Sequence, residues 1–516
     1  MNGTARVGVL TFGCAILLMI PLLATPVLPL IDFYNHIARY YVLSHLDEAR
    51  LAANYASAWA LLPNLGLDAL ATPLLGVMPP LAAARLIAAL ILLVQFSGVI
   101  FLHRTLHRRA DPLPAVLLLG LLYSYIFNWG FSNFLLGLGL VFWNLGLWFR
   151  LRERPVIASA AASAGALAIF FCHGFAFAIY GVLLGALEFG RWLHARERTV
   201  GGLGRKAALL AAQAIVPVVL FLRMPTSSAE GQSGSTLDAI RQHASGGTLA
   251  ERLDFEFWYR LRTIFRVAES PYLLLDLATF IGTALLIAFA LWKGWMRLHR
   301  WCWPALIGLI LLCAAMPPSL FGVGYVSDRI PLVVALLLVS ALAMSEPIGR
   351  GARAVLAALF TIGLVRIAAI FIGWSAYAGD YADYTRVMAA VPEGALVIDI
   401  LPTGEDKRDG LTPRCQMYRP LAVLTHGSVA PLFASPSQQP LRIKGPLESA
   451  VVESNGPNDS SLHARPGYYD ERLAMLGKER RYDYAIICGR ERLTRPLPPG
   501  VRIAAESGGI ALLQLR

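Results

Sequence analysis

The string Asp32-Phe33-Tyr34-Asn35-His36-Ile37-Ala38-Arg39-Tyr40 sets a carboxylate, an imidazole, a guanidinium and a phenol close together. In a helix, Asp32, His36, Arg39 and Tyr40 fall along one face, with neighbouring Cβ atoms about 5–6 Å apart. A carboxylate beside a histidine at that spacing can take a proton from a hydroxyl or ligate a divalent metal. A helix start with Asp32 as a first-turn acid accounts for the same pattern without chemistry.

Pro63-Asn64-Leu65-Gly66-Leu67-Asp68 places another acid just ahead of an apolar stretch, where a carboxylate is costly and tends to mark function. His173 stands alone between two apolar runs, and Asn128, Trp129 and Asn133 cluster at another turnaround. Gly322-Val323-Gly324-Tyr325-Val326-Ser327-Asp328-Arg329 leads into an apolar run. An arginine there can grip a phosphate bidentately, or simply pair with Asp328 to position a helix start. No phosphate-binding loop, nucleophile elbow, HExxH or dinucleotide-binding glycine pattern occurs in a fitting context, so the sequence gives no support for ATP hydrolysis, serine hydrolysis or dinucleotide binding.

The elements that must hold these residues are membrane helices. The 516 residues are 56% hydrophobic and 15% charged. Runs long enough to cross about 30 Å of hydrocarbon recur up to Trp374. Helices, not a barrel, are expected, because no alternating ten-residue pattern appears. The net charge of +12 gathers in short connections: His103 to Arg109, Arg150 to Arg154, Arg191 to Lys206, Lys293 to Arg300 and Arg350 to Arg353. That is a topology signal, not a nucleic-acid footprint, and puts these connections in the cytoplasm.

Eleven spans are predicted, centred near residues 18, 92, 121, 141, 164, 184, 216, 282, 309, 338 and 364, the first being a retained span and not a cleaved signal peptide. The segment Leu65 to Val77 reads as a half-span or interfacial helix. Outer segments at 30–80 and 224–270 belong with a transmembrane unit 1–376, and 377–516 forms an extracytoplasmic α/β or α+β unit. Ser227 to Gly247 reads as a mobile loop, and Leu249 to Val267 as an amphipathic helix at headgroup level. In the tail, Ala395 to Leu401, Tyr484 to Cys488, Val501 to Ala505 and Ile510 to Leu515 are expected strands, the last two a hairpin through Ser507-Gly508-Gly509. Cys415 and Cys488 are the cysteines placed to form a disulfide there.

This layout resembles the GT-C superfamily of membrane glycosyltransferases that use polyprenyl-phosphate-linked sugars. More narrowly, the strings Asp32 to Arg39, Pro63 to Asp68 and Gly130-Phe131-Ser132-Asn133-Phe134 look like a bacterial group with GT-C-like features. The resemblance implies a helical polytopic fold and transfer of a sugar from a lipid donor to a glycan, lipid or protein acceptor at the outer face of the inner membrane. It implies Asp32 as general base, with His36 and Asp68 beside it, and Arg329, His173, Arg39, Tyr40 and Asn64 as substrate-binding residues. It names no certain cofactor; a divalent metal stays open, since the first outer segment lacks an acidic pair near the span, Asp47-Glu48 lying too far along. The competing readings are a lipid or solute transporter and a non-catalytic envelope assembly protein.

Alternation of basic and uncharged connections predicts that a tag after Arg516 and one within Ser227 to Gly247 label from outside intact cells, and one near Lys206 does not. Outside labelling at Lys206 would overturn the span count.

Overall fold

The structure, a computed structural model, describes residues 3–195, 200–223, 249–317, 324–400, 417–432, 439–445, 447, 467–479, 481–490 and 493–516. The expected Ser227 to Gly247 loop and Cys415 lie outside them. The chain begins with α1 (Gly3–Met19) and a short 3-10 extension (Ile20–Leu23). The segment expected on the outer face follows, with α2 (Phe33–Ser44), α3 (Ala49–Asn54), β1 (Tyr55–Ser57) and α4 (Gly66–Leu75). The helical body continues through α5 (Pro80–His107), α6 (Leu113–Leu121), α7 (Tyr125–Asn128), α8 (Ser132–Leu151), α9 (Pro155–Cys172), α10 (Gly174–Leu193) and α11 (Val200–Leu222). After it come α12 (Leu249–Phe265), α13 (Leu273–Trp292), β2 (Met296–Leu298), α14 (Trp303–Ala315), α15 (Val326–Ala341), β3 (Leu342–Met344) and α16 (Arg350–Ser375). The C-terminal unit holds α17 (Tyr377–Met388), β4 (Val397–Ile400), α18 (Tyr418–His426), β5 (Leu441–Ile443), α19 (Tyr468–Glu479), β6 (Tyr484–Cys488), β7 (Arg502–Ser507) and β8 (Ile510–Gln514).

Among the described residues, seven helical stretches are long and apolar enough to cross a membrane: α1 with its extension, α5, α8, α9, α10, α13 and the α16–α17 run. The remaining expected centres fall on α6, α11, α14 and α15. Of these, α6 has only nine residues, about 14 Å at 1.5 Å per residue. It stops short because Ser124 turns its hydroxyl to accept the Phe127 backbone N–H (3.2 Å), starting α7 in a new direction. The segment expected as a half-span is the ten-residue α4.

A buried ion pair braces the body. Arg366 of α16 donates to Asp276 of α13 (2.6 Å), to the Thr279 hydroxyl (3.0 Å) and, through Nε, to the Gly120 carbonyl in the last turn of α6 (2.8 Å). The other Asp276 oxygen accepts the Ser270 N–H (2.7 Å). The carboxylate is thus bonded on both oxygens, which a charge withdrawn from water requires.

The C-terminal sheet runs β4-β6-β8-β7, parallel between β4 and β6 and antiparallel elsewhere. The β7–β8 hairpin closes on Gly508 (φ +56°) and Gly509 (φ +81°), the positive dihedrals a two-residue turn matched to strand twist demands. Cys488, at the end of β6, is disulfide-bonded, whereas Cys14, Cys172, Cys302 and Cys313 are free. The C-terminal unit is sewn to the segment that holds α2 to α4. Strand β5 pairs antiparallel with β1, the Tyr55 hydroxyl donates to the Ala430 carbonyl (2.5 Å), and Arg50 donates to the Gly427 carbonyl (2.5 Å).

Replacing Arg366 by Met is expected to destabilise the protein by about 3–5 kcal/mol, because Asp276 is left as an unpaired buried charge. The double replacement Arg366→Met with Asp276→Leu should recover most of that loss, as read by thermal unfolding in detergent. Equal loss in both variants would show that the pair does not act as a unit.

Candidate active site

Asp32 occupies the N-cap position of α2, yet its side chain makes no capping hydrogen bond. Its place is fixed through the backbone: Ile31 N–H donates to the Asn128 carbonyl (2.9 Å) and Asp32 N–H to the Trp129 carbonyl (3.0 Å). Gly130 makes this approach feasible. It has φ +79°, and a Cβ there would lie 2.6 Å from the Phe33 backbone nitrogen. The Asp32 carboxylate has no hydrogen-bond or ion-pair partner among the described residues. Burial pushes it up to about 7, against a smaller lowering by the Arg419 guanidinium of α18, a helix that packs on α2.

One turn on, the face of α2 turns into a closed network. Arg39 grips Asp68 of α4 with two bonds, Nε to Oδ1 at 2.6 Å and Nη2 to Oδ2 at 3.0 Å, and both side chains are fully buried. Its Nη1 donates to His36 Nδ1 (3.0 Å), which leaves the imidazole proton on Nε2. Burial and the adjacent Arg39 charge hold His36 well below its usual range, so the ring is neutral near pH 7. The structure thus ties Asp68, Arg39 and His36 to one another. Tyr40 lies with its ring under the Arg39 guanidinium (5.1 Å).

The Asn64 to Asp68 segment joins this network to a second one. Asn133, at the start of α8, accepts the Leu67 N–H (2.8 Å), an orphan donor of the first turn of α4, and donates to the Asn64 carbonyl (3.0 Å). Asn64 itself adopts φ +78°. Leu65 N–H donates to the Phe171 carbonyl (2.7 Å), which brings the segment against the turn that carries His173.

His173 meets Arg329 there, Nε2 to Nη1 at 3.1 Å. Arg329 is only 4% exposed, has no carboxylate partner among the described residues, and leaves its Nε without any acceptor. Asp328 does not serve it: the carboxylate instead accepts the Tyr259 hydroxyl of α12 (2.6 Å). Aromatic faces surround the guanidinium, with Phe131 at 4.7 Å and Phe134 at 5.1 Å. His173 Nδ1 accepts the Phe175 N–H (3.1 Å), so in the neutral ring Nε2 carries the proton. Two donors, Nε2–H and the Arg329 N–H, then face each other with no acceptor between them. An anion at this point would satisfy both.

Asp32 and Arg329 are linked by a ring cluster. Tyr325, in a left-handed conformation (φ +59°) ahead of α15, lies against Trp129 (centroids 4.3 Å apart) and Phe131 (5.9 Å), and it lies within the electrostatic reach of Asp32. All eight residues expected at the site therefore gather at one end of the helical body. The tie from Asn133 to Asn64 and Leu67, the rings of Trp129, Phe131 and Tyr325, and Arg419 were missed as site components. For the first two, the turnaround at Asn128, Trp129 and Asn133, the string Gly130 to Phe134 and the string Gly322 to Arg329 carried a signal; Arg419 carried none. Among the described residues no three His, Cys, Asp or Glu side chains converge as a metal would need.

No protein-family model matches the chain, and no curated protein matches it. Along its whole length it is similar to solved membrane-protein structures. The structure of ArnT from Cupriavidus metallidurans bound to undecaprenyl phosphate gives a TM-score of 0.48 at 13% identity over 100% of this chain and 99% of that one. Its apo form gives 0.49 at 13% identity. The cryo-EM structure of the arabinofuranosyltransferase AftD from Mycobacteria gives 0.44 at 16% identity, and the chain spans 40% of its length.

The two acids are expected to behave oppositely. Asp68→Asn strands Arg39 as a buried charge and should cost about 3–5 kcal/mol. For Asp32 the sign reverses: folding raises its pKa from 3.8 to about 7, so between these values the native state holds a proton that the unfolded chain has released. Stability from this group falls as pH rises through that window. Asp32→Asn should therefore unfold at a higher temperature than the parent near pH 8, with the gain vanishing below about pH 4. A gain independent of pH would show that Asp32 is not held in this state.

Proposed function

We propose that the chain is a membrane glycosyltransferase of the GT-C kind, transferring a sugar from a polyprenyl-phosphate donor to an acceptor hydroxyl. The observation that carries this reading is the pairing, at one end of the body, of an unpartnered carboxyl poised near 7 with a buried guanidinium that has no carboxylate. A sugar phosphodiester supplies what each lacks. Its phosphate sits between Arg329 and His173 Nε2–H, and the acceptor hydroxyl approaches Asp32. Asp32 removes the hydroxyl proton as the oxygen attacks the anomeric carbon, and the bond from that carbon to the phosphate oxygen breaks. The charge that grows on the leaving phosphate is met by donors already in place. The rings of Trp129, Phe131 and Tyr325 offer the sugar a flat apolar bed between the two charged ends.

In this reading Asp68 and His36 are positioning residues. Arg39 binds both, so α2 is held at the rotation that presents Asp32. Asn64 acts through its carbonyl bond to Asn133. Helix α18 of the C-terminal unit packs on α2 and contributes Arg419.

The test is release of free polyprenyl phosphate by the purified protein in nanodiscs, supplied with a panel of polyprenyl-phosphate-linked sugars and cell-envelope glycans. Asp32→Asn should lower turnover by about 10²–10⁴-fold while remaining folded. Arg329→Ala should lower it by about 10²–10³-fold. In the parent, kcat/KM should fall as pH drops below about 7, where Asp32 becomes protonated. Turnover by Asp32→Asn at the parent rate would remove Asp32 as the base, and no release from any donor would remove the glycosyltransferase reading.

A further inference from the structure

At the far end of α8 from Asn133, roughly 30 Å away at 1.5 Å rise per residue, lies a cavity of about 530 Å³. Arg104, Arg108, Arg109, Arg150 and Arg152 line it together with Trp301, and Glu153 is its one acidic residue. Positive charge in the connections of a membrane protein is expected on the cytoplasmic side, but only as a loop average. Here five guanidinium groups from two helix ends share one space.

Two of them are already neutralised. Arg109 pairs with Asp111 (2.8 Å) and Glu346 (2.8 Å), and Arg152 pairs with Glu153 (3.2 Å) while lying over the Trp301 ring (5.6 Å). Arg104, Arg108 and Arg150 have no carboxylate partner among the described residues. Arg108 is held in a left-handed conformation (φ +56°) that closes α5, with its N–H donating to the Arg104 carbonyl (2.8 Å). Three exposed cations without a carboxylate partner around one space favour an anion that enters it.

The surface next to the cavity says which anion. Phe101, one turn before Arg104, stacks on Trp143, two turns before Arg150, with centroids 4.7 Å apart. Trp143 is 40% exposed, and Gly146 leaves the notch in which the Phe101 ring sits. Moving from the cavity toward the middle of the body, the surface thus changes from arginines to the half-buried Phe101 ring stacked on the exposed Trp143 ring, on the same two helices. A free phosphate would use only the first half of that surface. We propose that this is a binding site for an anionic phospholipid, its headgroup phosphate among Arg104, Arg108 and Arg150 and its acyl chain along Phe101 and Trp143. Charge-assisted, bidentate contacts suit a phosphodiester, and basic pockets at helix ends on the cytoplasmic side are suited to such headgroups. The site lies across the membrane from Asp32, and the inference does not depend on the proposed reaction.

The test compares thermal unfolding and lipid retention, by native mass spectrometry, for the parent and an Arg104→Gln/Arg108→Gln/Arg150→Gln variant. Both are placed in nanodiscs of phosphatidylcholine alone and of phosphatidylcholine with phosphatidylglycerol. Phosphatidylglycerol should raise Tm by a few degrees and stay bound to the parent, and both effects should be lost in the variant. Should the triple variant fail to assemble, the exposed single change Arg104→Gln is expected to reduce both. The same gain in variant and parent would overturn the site. If millimolar inorganic phosphate reproduced the rise in pure phosphatidylcholine discs, the lipid assignment would fall in favour of a soluble phosphate.

Discussion

The bidentate contact between Arg39 and Asp68 is the constraint on which the candidate site depends. Two fully buried opposite charges tolerate little misplacement, because neither has water to fall back on. Their bond fixes the rotation of α2 against α4, and α4 is fixed in turn by Asn133 and by the backbone bond from Leu65 to Phe171. The start of α2 is then held in place by this network and by the backbone bonds from Ile31 and Asp32 to Asn128 and Trp129. Asp32 is thus placed without a bond from its own side chain, and its carboxylate stands unpartnered at an N-cap where it would ordinarily bond the first turn.

The charged groups of the chain divide into those that are finished and those that are not. Arg366, Arg39 and Asp328 each have a side-chain partner, Asp276, Asp68 and Tyr259, although Nη2 of Arg366 is left without one among the described residues. Arg329 has no carboxylate partner and leaves its Nε without an acceptor, although it lies only one position from Asp328 and is as deeply buried. A local pair between Asp328 and Arg329 would have been the inexpensive arrangement. The fold forgoes it by turning Asp328 toward α12 and Arg329 toward His173, and it surrounds the guanidinium with rings, Nη2 reaching the Gly324 carbonyl at 3.4 Å. Burial without a counter-charge is costly for a cation, so the arrangement suits a site completed by a bound anion.

Much of this was legible in the sequence for one physical reason: apolar runs and the charged residues that interrupt them leave a strong linear signal. The positions of the helices, the ten-residue α4, strand β6 and the β7–β8 hairpin with its Gly508-Gly509 turn followed from that signal. The grouping of Asp32 with Arg329 and His173 followed from shared depth alone. What was not legible depends on side-chain direction. No linear pattern says that α6 stops at nine residues because Ser124 caps the next helix, that Asp68 is consumed by Arg39, or that Tyr325 turns its ring onto Trp129. Nor does any periodicity reveal that β5, nearly 400 residues on, pairs with β1, since a three-residue strand carries too few side chains to mark its partner.

That last pairing changes how the C-terminal unit should be regarded. A domain joined only through the end of α17 would be free to swing, and its residues would matter little to Asp32. Instead β5 extends β1, Tyr55 bonds both ways with Ala430, and α18 lies on α2 itself. Through α18 comes Arg419, held by Asp399 at 3.3 Å on one side only, with its Nε left unsatisfied. This guanidinium opposes the desolvation that raises Asp32. Burial alone would drive the carboxyl further toward its protonated form, in which it cannot accept a proton near neutral pH. A cation brought from the far end of the sequence keeps Asp32 within reach of ionisation. The charge state of Asp32 is therefore set partly by the last folded unit of the chain, so the two ends of the sequence meet at one carboxylate.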